Sequence, residues 1–519
     1  MTRHIANKDG WLRISGSGGQ LAVAGQPAFF KGYEVEGGDG VSVGWDWDGE
    51  RLCARTCATG FMPLYYYFDG AQIALATRIA DLFEATGTAP EICPASLGVL
   101  LRLGFLVGNR TPFARVMVLG PQGTLTWRPG SAPEVRWSYP APDRSLASGD
   151  IRATYVELFR ASMARIAAVM SDEVAVPLSG GRDSRHIALE LHRSGRKPRF
   201  AVTARHLPPR NDEDVRVAAE LCNAMGWTHR VVGQPVSGRF RQECAHARAV
   251  DFLTFEHAWT LPVRDAIRAG GITEVFDGVG GDVLSASLYQ DDRLLRHYFD
   301  ADIEGVRNRL LAFWSQLGGD DALNESLGAA LSALRERGAA LELIDAELRL
   351  HQDHPNPLKA FYFWNRSRRS TGLLPFRIFG EAVAYAPYLD APLMKFLLGL
   401  DPGATRDRTL HTDAIRLADP RIGAIAYEDK AARAATQRIS DRVSFYGPMI
   451  AGSLKARQFV NARFVAPRAA RSLLLGGDLQ STWWKPRRVA YLASLHQFVN
   501  QFNRDTTQQR MAHYAFDDR

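Results

Sequence analysis

The stretch from Val174 to Ser194 constrains the fold of this 519-residue chain more than any other. Val174-Ala175-Val176-Pro177-Leu178 is a compact apolar run of the kind that forms a strand buried on both faces. It breaks into Ser179-Gly180-Gly181-Arg182-Asp183-Ser184, and Arg185 to Ser194 then resumes helical periodicity. A strand passing through glycines into a helix is one half of a parallel α/β unit. Phe200 to Thr203, His229 to Val232 and Thr273 to Phe276 read as further strands, with a helix over Asp212 to Gly226. Such alternation implies a parallel sheet with ligands at the carboxyl ends of its strands.

The loop itself suits an anion. Gly180 and Gly181 allow a tight turn that brings N–H groups close to a guest, and the following helix start adds its dipole and unpaired donors. Ser179 and Ser184 can add hydroxyl donors, so phosphate or pyrophosphate is the natural ligand. Asp183 would repel phosphate unless a cation lay between them, which points to Mg²⁺ held by carboxylate and phosphate oxygens together. The pattern differs from the common Gly-x-x-x-x-Gly-Lys-Ser/Thr loop. About a hundred residues on, Val275-Phe276-Asp277-Gly278-Val279-Gly280-Gly281-Asp282 again runs from an apolar strand into glycines and a carboxylate. Facing each other across one cleft, the two loops would let Asp183 and Asp282 share a metal.

Around this unit the chain divides in two. Residues 1 to about 140 read as β-rich, with candidate strands at Leu21–Ala24, Leu52–Thr56, Met62–Tyr67 and Ile73–Thr77. Short helices are expected near Asp81–Ala85 and Ser96–Leu106, and a hairpin over Val116–Trp127 about Gly120–Gly123. Pro140-Ala141-Pro142-Asp143 reads as a linker, Ile151 to Met170 as a long helix, and residues beyond about 290 as almost wholly helical. A hydrophobic fraction of 46% with 23% charged residues fits a globular chain, and no apolar run reaches the roughly 18 residues a membrane span needs. The polar, Gly-rich start has no apolar leader segment, so a cytoplasmic protein is expected.

Five scattered cysteines argue against a disulfide framework, and Cys53 and Cys57 have no nearby pair with which to complete a zinc site. From residue 451 onward, eleven Lys/Arg stand against four Asp/Glu, densest around Lys485-Pro486-Arg487-Arg488. That is a candidate surface for an acidic peptide or simply a solvated helical face; no zinc-finger, RNA-recognition or homeodomain pattern supports a nucleic-acid partner.

Together these motifs resemble the asparagine synthetase superfamily. Ser179 to Ser184 matches its ATP-pyrophosphatase loop, Gly278 to Asp282 its later metal-binding loop, Asp212-Glu213 its acidic helix start, and Pro387-Tyr388-Leu389-Asp390 its Pro-Phe-Leu-Asp run. The resemblance covers most of residues 150 to 435, and Gly60–Tyr67 with Thr77–Leu82 are similar to the family's glutaminase domain. It implies an α/β plus α+β chain of two domains. Residues 1–145 would be an Ntn-hydrolase-like αββα sandwich lacking the N-terminal Cys. Residues 146–519 would be an ATP-pyrophosphatase (HUP-like) parallel sheet with a helical extension.

The resemblance also implies roles. ATP would be held by Leu178, Ser179, Gly180, Gly181, Asp183, Ser184, Thr203, Gly280 and Gly281, and Mg²⁺ by Asp183 and Asp282, with Lys430 beside pyrophosphate. Two departures matter. A glutaminase of this kind uses an N-terminal Cys with its own α-amine as base, whereas this sequence starts Met1-Thr2 and its first cysteine is Cys53. The family's catalytic Glu falls on Val383, and the nearest carboxylate, Glu381, is the candidate to replace it.

The activity expected is ATP-dependent adenylation of a carboxylate followed by amide-bond formation, an AMP-forming carbon–nitrogen ligase. Ring closure by the substrate's own amine, as in β-lactam synthetases and lasso-peptide cyclases, is preferred. Ammonia- or amine-dependent amidation is the alternative, and a non-catalytic nucleotide-binding protein the third reading. The substrate would be a small molecule or peptide carrying a carboxylate, with a peptide or biosynthetic protein as a further possible partner and no membrane association. Glu256 and His257, beside Trp259, are weaker candidates for substrate contact.

Overall fold

The structure is a computed structural model that describes all residues except 1–4, 18–19, 38–39, 148, 207–210, 236, 287–290, 315–318, 430–437, 477–485 and 515–519. The first eleven strands build two antiparallel sheets. They are β1 (Ile5–Ala6), β2 (Trp11–Ser17), β3 (Gln20–Gly25), β4 (Ala28–Tyr33), β5 (Val41–Trp47), β6 (Leu52–Thr56), β7 (Tyr65–Phe68), β8 (Gln72–Ala76), β9 (Val116–Val118), β10 (Thr124–Trp127) and β11 (Glu134–Arg136). One sheet has the order β1-β4-β5-β6-β10-β11 and the other β3-β2-β8-β7-β9. Burial alternates along β7, with Tyr65 and Tyr67 buried and Tyr66 and Phe68 half-buried. Helix α1 (Ile79–Thr86) lies against β8, β2 and β7, while α2 (Pro94–Leu103) packs against helices of the later region.

Val116–Trp127 is not the hairpin expected from its glycines. β9 pairs with β7 in one sheet and β10 with β6 in the other, so the turn carries the chain between sheets. Thr56 fixes that crossing: its hydroxyl donates to Gly120 O at 2.5 Å and accepts from Gly123 N at 2.9 Å.

After α3 (Ile151–Ala167), capped by Asp150 accepting from Arg152 N and Ala153 N, the parallel sheet begins. Its strands are β12 (Val174–Pro177), β13 (Phe200–Arg205), β14 (His229–Gly233), β15 (Glu274–Phe276) and β16 (Val383–Tyr385), in the order β14-β13-β12-β15-β16. Helices α4 (Asp183–Arg193), α5 (Glu213–Met225), α6 (Arg239–Ala249) and α7 (Thr260–Ala269) fall between strands, and α8 (Gly281–Ala286) follows β15. The chain builds outward from β12 to β14 and then returns to the other side of β12, so the strand order reverses between β12 and β15. Crevices at such a reversal are where open α/β sheets bind ligands.

β16 lies inside the stretch expected to be wholly helical. It is only three residues long and is flanked by helical turns, so no periodicity marked it. The two regions share one hydrophobic core. Tyr33 OH accepts from Ala386 N at 3.0 Å, and Arg377 pairs with Asp9 and Asp251. Among the described residues no helix is long and apolar enough to cross a membrane.

Candidate functional site

Adjacent strands β12 and β15 both end in glycine loops, and the loops touch. A Cβ on Gly281 would stand 2.6 Å from Asp183 Oδ1, and one on Gly278 would stand 2.7 Å from Asp183 Cβ. Only glycine permits that approach. Within the first loop, Ser179 N donates to Ser184 Oγ at 3.1 Å, the two hydroxyls are 3.1 Å apart, and Gly181 N donates to Ser179 Oγ at 3.2 Å. Gly180 N donates to Asp214 Oδ1 at 2.9 Å. Thr203 ties β13 to this loop by donating to Leu178 O at 2.7 Å, with His229 Nε2 at 2.8 Å on its other side.

Three carboxylates converge where the loops meet. Asp183 is held well above the ordinary carboxylate range, first by burial and then by the charges of Asp282 and Asp277. Burial also raises Asp277 to about 7, with Asp282 adding to the shift and a hydrogen bond from Val279 N opposing it. Asp282 Oδ1 accepts from Val283 N at 2.8 Å. Acids pushed towards protonation by one another would be relieved by a divalent cation. Among the described residues no group of three or more His, Cys, Asp or Glu forms a metal cage. Mg²⁺ takes one or two carboxylates and completes its shell with water and phosphate oxygens, and Asp183 and Asp282 are the residues that would hold it. Asp183, with 27% of its side chain exposed, remains reachable.

Behind Asp183 sits a buried polar network. His411 places Nδ1 3.5 Å from Asp183 Oδ1 and 2.8 Å from Ser285 Oγ, and Nε2 3.1 Å from Tyr388 OH. Burial, His186 and Arg182 keep the imidazole neutral, well below its usual pKa. Because Ser285 donates to Gly281 O at 2.6 Å, the consistent arrangement has Nδ1–H pointing at Ser285 and Asp183 while Nε2 accepts from Tyr388. The Pro387–Asp390 run thus lies directly after β16 and under the site, and Asp390 is anchored by Arg165 Nε at 2.9 Å.

A later segment folds over the first loop. Arg185 donates to Ile425 O at 2.6 Å and Ala426 O at 2.9 Å, and the guanidinium groups of Arg182 and Arg185 stand 4.1 and 3.9 Å from the Tyr427 ring centre. Glu428 N reaches Gly180 O at 3.4 Å, and Asn211 Nδ2 donates to Asp429 O at 2.9 Å. Lys430, the expected pyrophosphate lysine, lies outside the described residues.

Glu381 is not brought to these loops. It is exposed and stands just before β16, at the amino end of the parallel sheet, whereas both loops leave the carboxyl end. The physical reason is that residues 383–385 form a strand, so the chain enters it at one edge of the sheet and leaves it at the opposite edge. Glu256 Oε2 accepts from Arg366 Nη2 at 2.9 Å, and Trp259 Nε1 donates to His257 Nδ1 at 2.9 Å. Arg366 belongs to a π-helical turn, Tyr362–Ser367, whose Phe363 packs near Gly280.

Sequence reasoning overlooked Asp214, Asp277, Arg182, Arg185 and His411. Asp214 directly follows the acidic pair already noted and Asp277 lies within the second loop, so both were within reach. Arg182, Arg185 and His411 have partners more than a hundred residues away, and no local signal announces them.

No protein-family model matches the chain, and no curated protein is similar to it. A solved structure, the U34-tRNA thiolase NcsA from Methanococcus maripaludis with its [4Fe-4S] cluster, is similar to it at 14% identity. The similarity covers 58% of this chain and 90% of that one. With a TM-score of 0.22 it carries no argument about fold or chemistry.

Proposed function

We propose that the chain is an ATP-dependent, AMP-forming carbon–nitrogen ligase. The observation that supports this most is the contact between the two glycine loops at the strand reversal, with Asp183 and Asp282 on either side. A substrate carboxylate attacks the α-phosphorus of ATP and the bond to pyrophosphate breaks. An amine then attacks the acyl carbon, forming the C–N bond, releasing AMP and losing a proton. Ser179, Gly180, Gly181 and Ser184 hold the departing pyrophosphate, with Lys430 assigned to the same charge by the resemblance. Leu178, Thr203, Gly280 and Gly281 border the nucleotide. Mg²⁺ on Asp183 and Asp282 would neutralise charge building on the phosphates.

The N-terminal sheets serve in this reading as an Ntn-like scaffold without glutaminase chemistry. An internal cysteine such as Cys53 or Cys57 carries no α-amine to act as base, and Cys57 is buried beside Thr59. The amine is then the substrate's own, and closure to a lactam or macrolactam benefits from holding both ends in one site.

The test is AMP and pyrophosphate release from MgATP, with Asp183→Ala as the blank. One arm supplies aspartate with ammonium, and the other supplies amino acids or peptides that carry both a carboxylate and an amine. Product in the second arm alone supports ring closure. Product in the first makes the chain an ammonia-using ligase. Release equal to the blank in every arm removes the ligase reading.

A further inference from the structure

At the opposite end of the parallel sheet, the amino ends of β15 and β16 open into a cavity of about 1020 Å³ that the two-loop site does not use. One wall is the link between β1 and β2, with the start of α1; the other is the end of α7 and the residues leading into β15 and β16. Five cationic side chains line it: Lys8, Arg78, Arg264, Arg268 and Arg377. Among the described residues, the lining acids are Asp9 and Glu381 alone.

Two of the five cations are already satisfied. Arg377 Nη1 donates to Thr77 O at 2.9 Å and pairs with Asp9 at 3.3 Å, while its Nε lies 3.0 Å from Asp251. Arg264 pairs with Asp265. No hydrogen bond or ion pair to a described residue engages the side chains of Lys8, Arg78 or Arg268. Arg78 Nε and Asn7 Nδ2 are buried without a hydrogen-bond partner among the described residues. Asp81 and Asp251 lie within electrostatic reach of Arg78 without bonding it.

A buried donor left unpaired costs free energy that a ligand's acceptor would recover. The negative end of α7 also faces this space, but Gly270, Gly271 and Ile272 already cap its last carbonyls. A residual half charge there is outweighed by the charges of Lys8, Arg78 and Arg268. The floor is apolar, formed by buried Ile267, Ile272, Ile378 and Phe379.

We propose that this cavity binds a multiply charged small-molecule anion, bearing phosphate or carboxylate groups on a body with an apolar face, through Lys8, Arg78 and Arg268. Guanidinium groups grip both kinds of oxyanion in bidentate fashion, so the chemistry is shared and the source is left to experiment. Such a ligand would sit a sheet's depth away from the nucleotide loops, and the proposal stands independently of the reaction assigned to them.

The experiment is titration calorimetry of the full chain with tripolyphosphate and, separately, with citrate, followed by hydrogen–deuterium exchange to locate each site. The wild type is compared with Arg78→Ala/Arg268→Ala and with Arg268→Ala alone, an exposed position whose loss leaves the fold intact. Expected is anion-dependent protection of residues 267–273 and 378–382, with affinity reduced roughly tenfold for each arginine removed. Protection at 179–184 by tripolyphosphate should persist in both variants, which separates this cavity from the loop site. Binding of tripolyphosphate alone assigns a phosphorylated ligand, of citrate alone a polycarboxylate, and of both a site selecting charge density. Equal affinities in wild type and variants, protection confined to 179–184, or no binding of either anion overturns the proposal.

Discussion

The two ends of the parallel sheet carry opposite charge. At the carboxyl end burial and the charge of Asp282 raise the proton affinity of Asp183 and Asp277. At the amino end Lys8, Arg78 and Arg268 line a cavity, and no hydrogen bond or ion pair to a described residue engages their side chains. Strands of three or four residues separate the two, about 10 Å at the rise of an extended chain. Under the two proposals above, the acidic end would take a cation carrying phosphates and the basic end an anion.

The largest effect is expected of Gly281→Ala. Its Cβ would fall 2.6 Å from Asp183 Oδ1 and 2.9 Å from the Tyr388 ring, so the two loops must part. Displacement of reacting groups by an ångström costs about 10²-fold in rate, and overpacking of this kind costs about 1–3 kcal/mol. AMP release and the urea unfolding midpoint should both fall. Normal AMP release in this variant would show that loop contact is dispensable.

A medium effect is expected from pH. Asp277 binds its proton up to about pH 7 in the folded chain but releases it near 3.8 when unfolded. The native state therefore holds the extra proton between those values, and the group's contribution to stability falls as pH rises through that window. Unfolding midpoints measured at pH 5 and pH 8 should show this decline in the wild type and a smaller one in Asp277→Asn. Mg²⁺ should flatten the wild-type decline as well. A slope unchanged by either would mean that the acidic cluster is not strained.

The smallest effect is predicted for Glu381→Gln. An exposed side chain at the amino end should alter AMP release by less than about twofold, the scale of ordinary surface substitutions. A hundredfold loss, measured in the same pyrophosphate assay, would join the two ends of the sheet into one catalytic unit.

What could be read in the sequence was local. The strand, glycine loop and helix from Val174 to Arg193 occur close to where periodicity and turn chemistry put them, as do β13, α5 and β14. Val116–Trp127 misled because glycines announce a turn without saying which strands it joins. β16 escaped because three residues are too few to show a period, and that omission displaced Glu381 from its true position. The clamp of Arg182 and Arg185 on Tyr427 had no signal at all.

The sequence by itself determined the parallel α/β unit and the two glycine loops, because glycine placement and apolar runs act within a few residues of chain. Only the tertiary structure decided that the loops meet at a strand reversal, that His411 stands behind Asp183, and that Glu381 belongs to the far edge. Those relations depend on which strands pair across hundreds of residues, and pairing is settled by burial of the whole sheet rather than by any one segment of it.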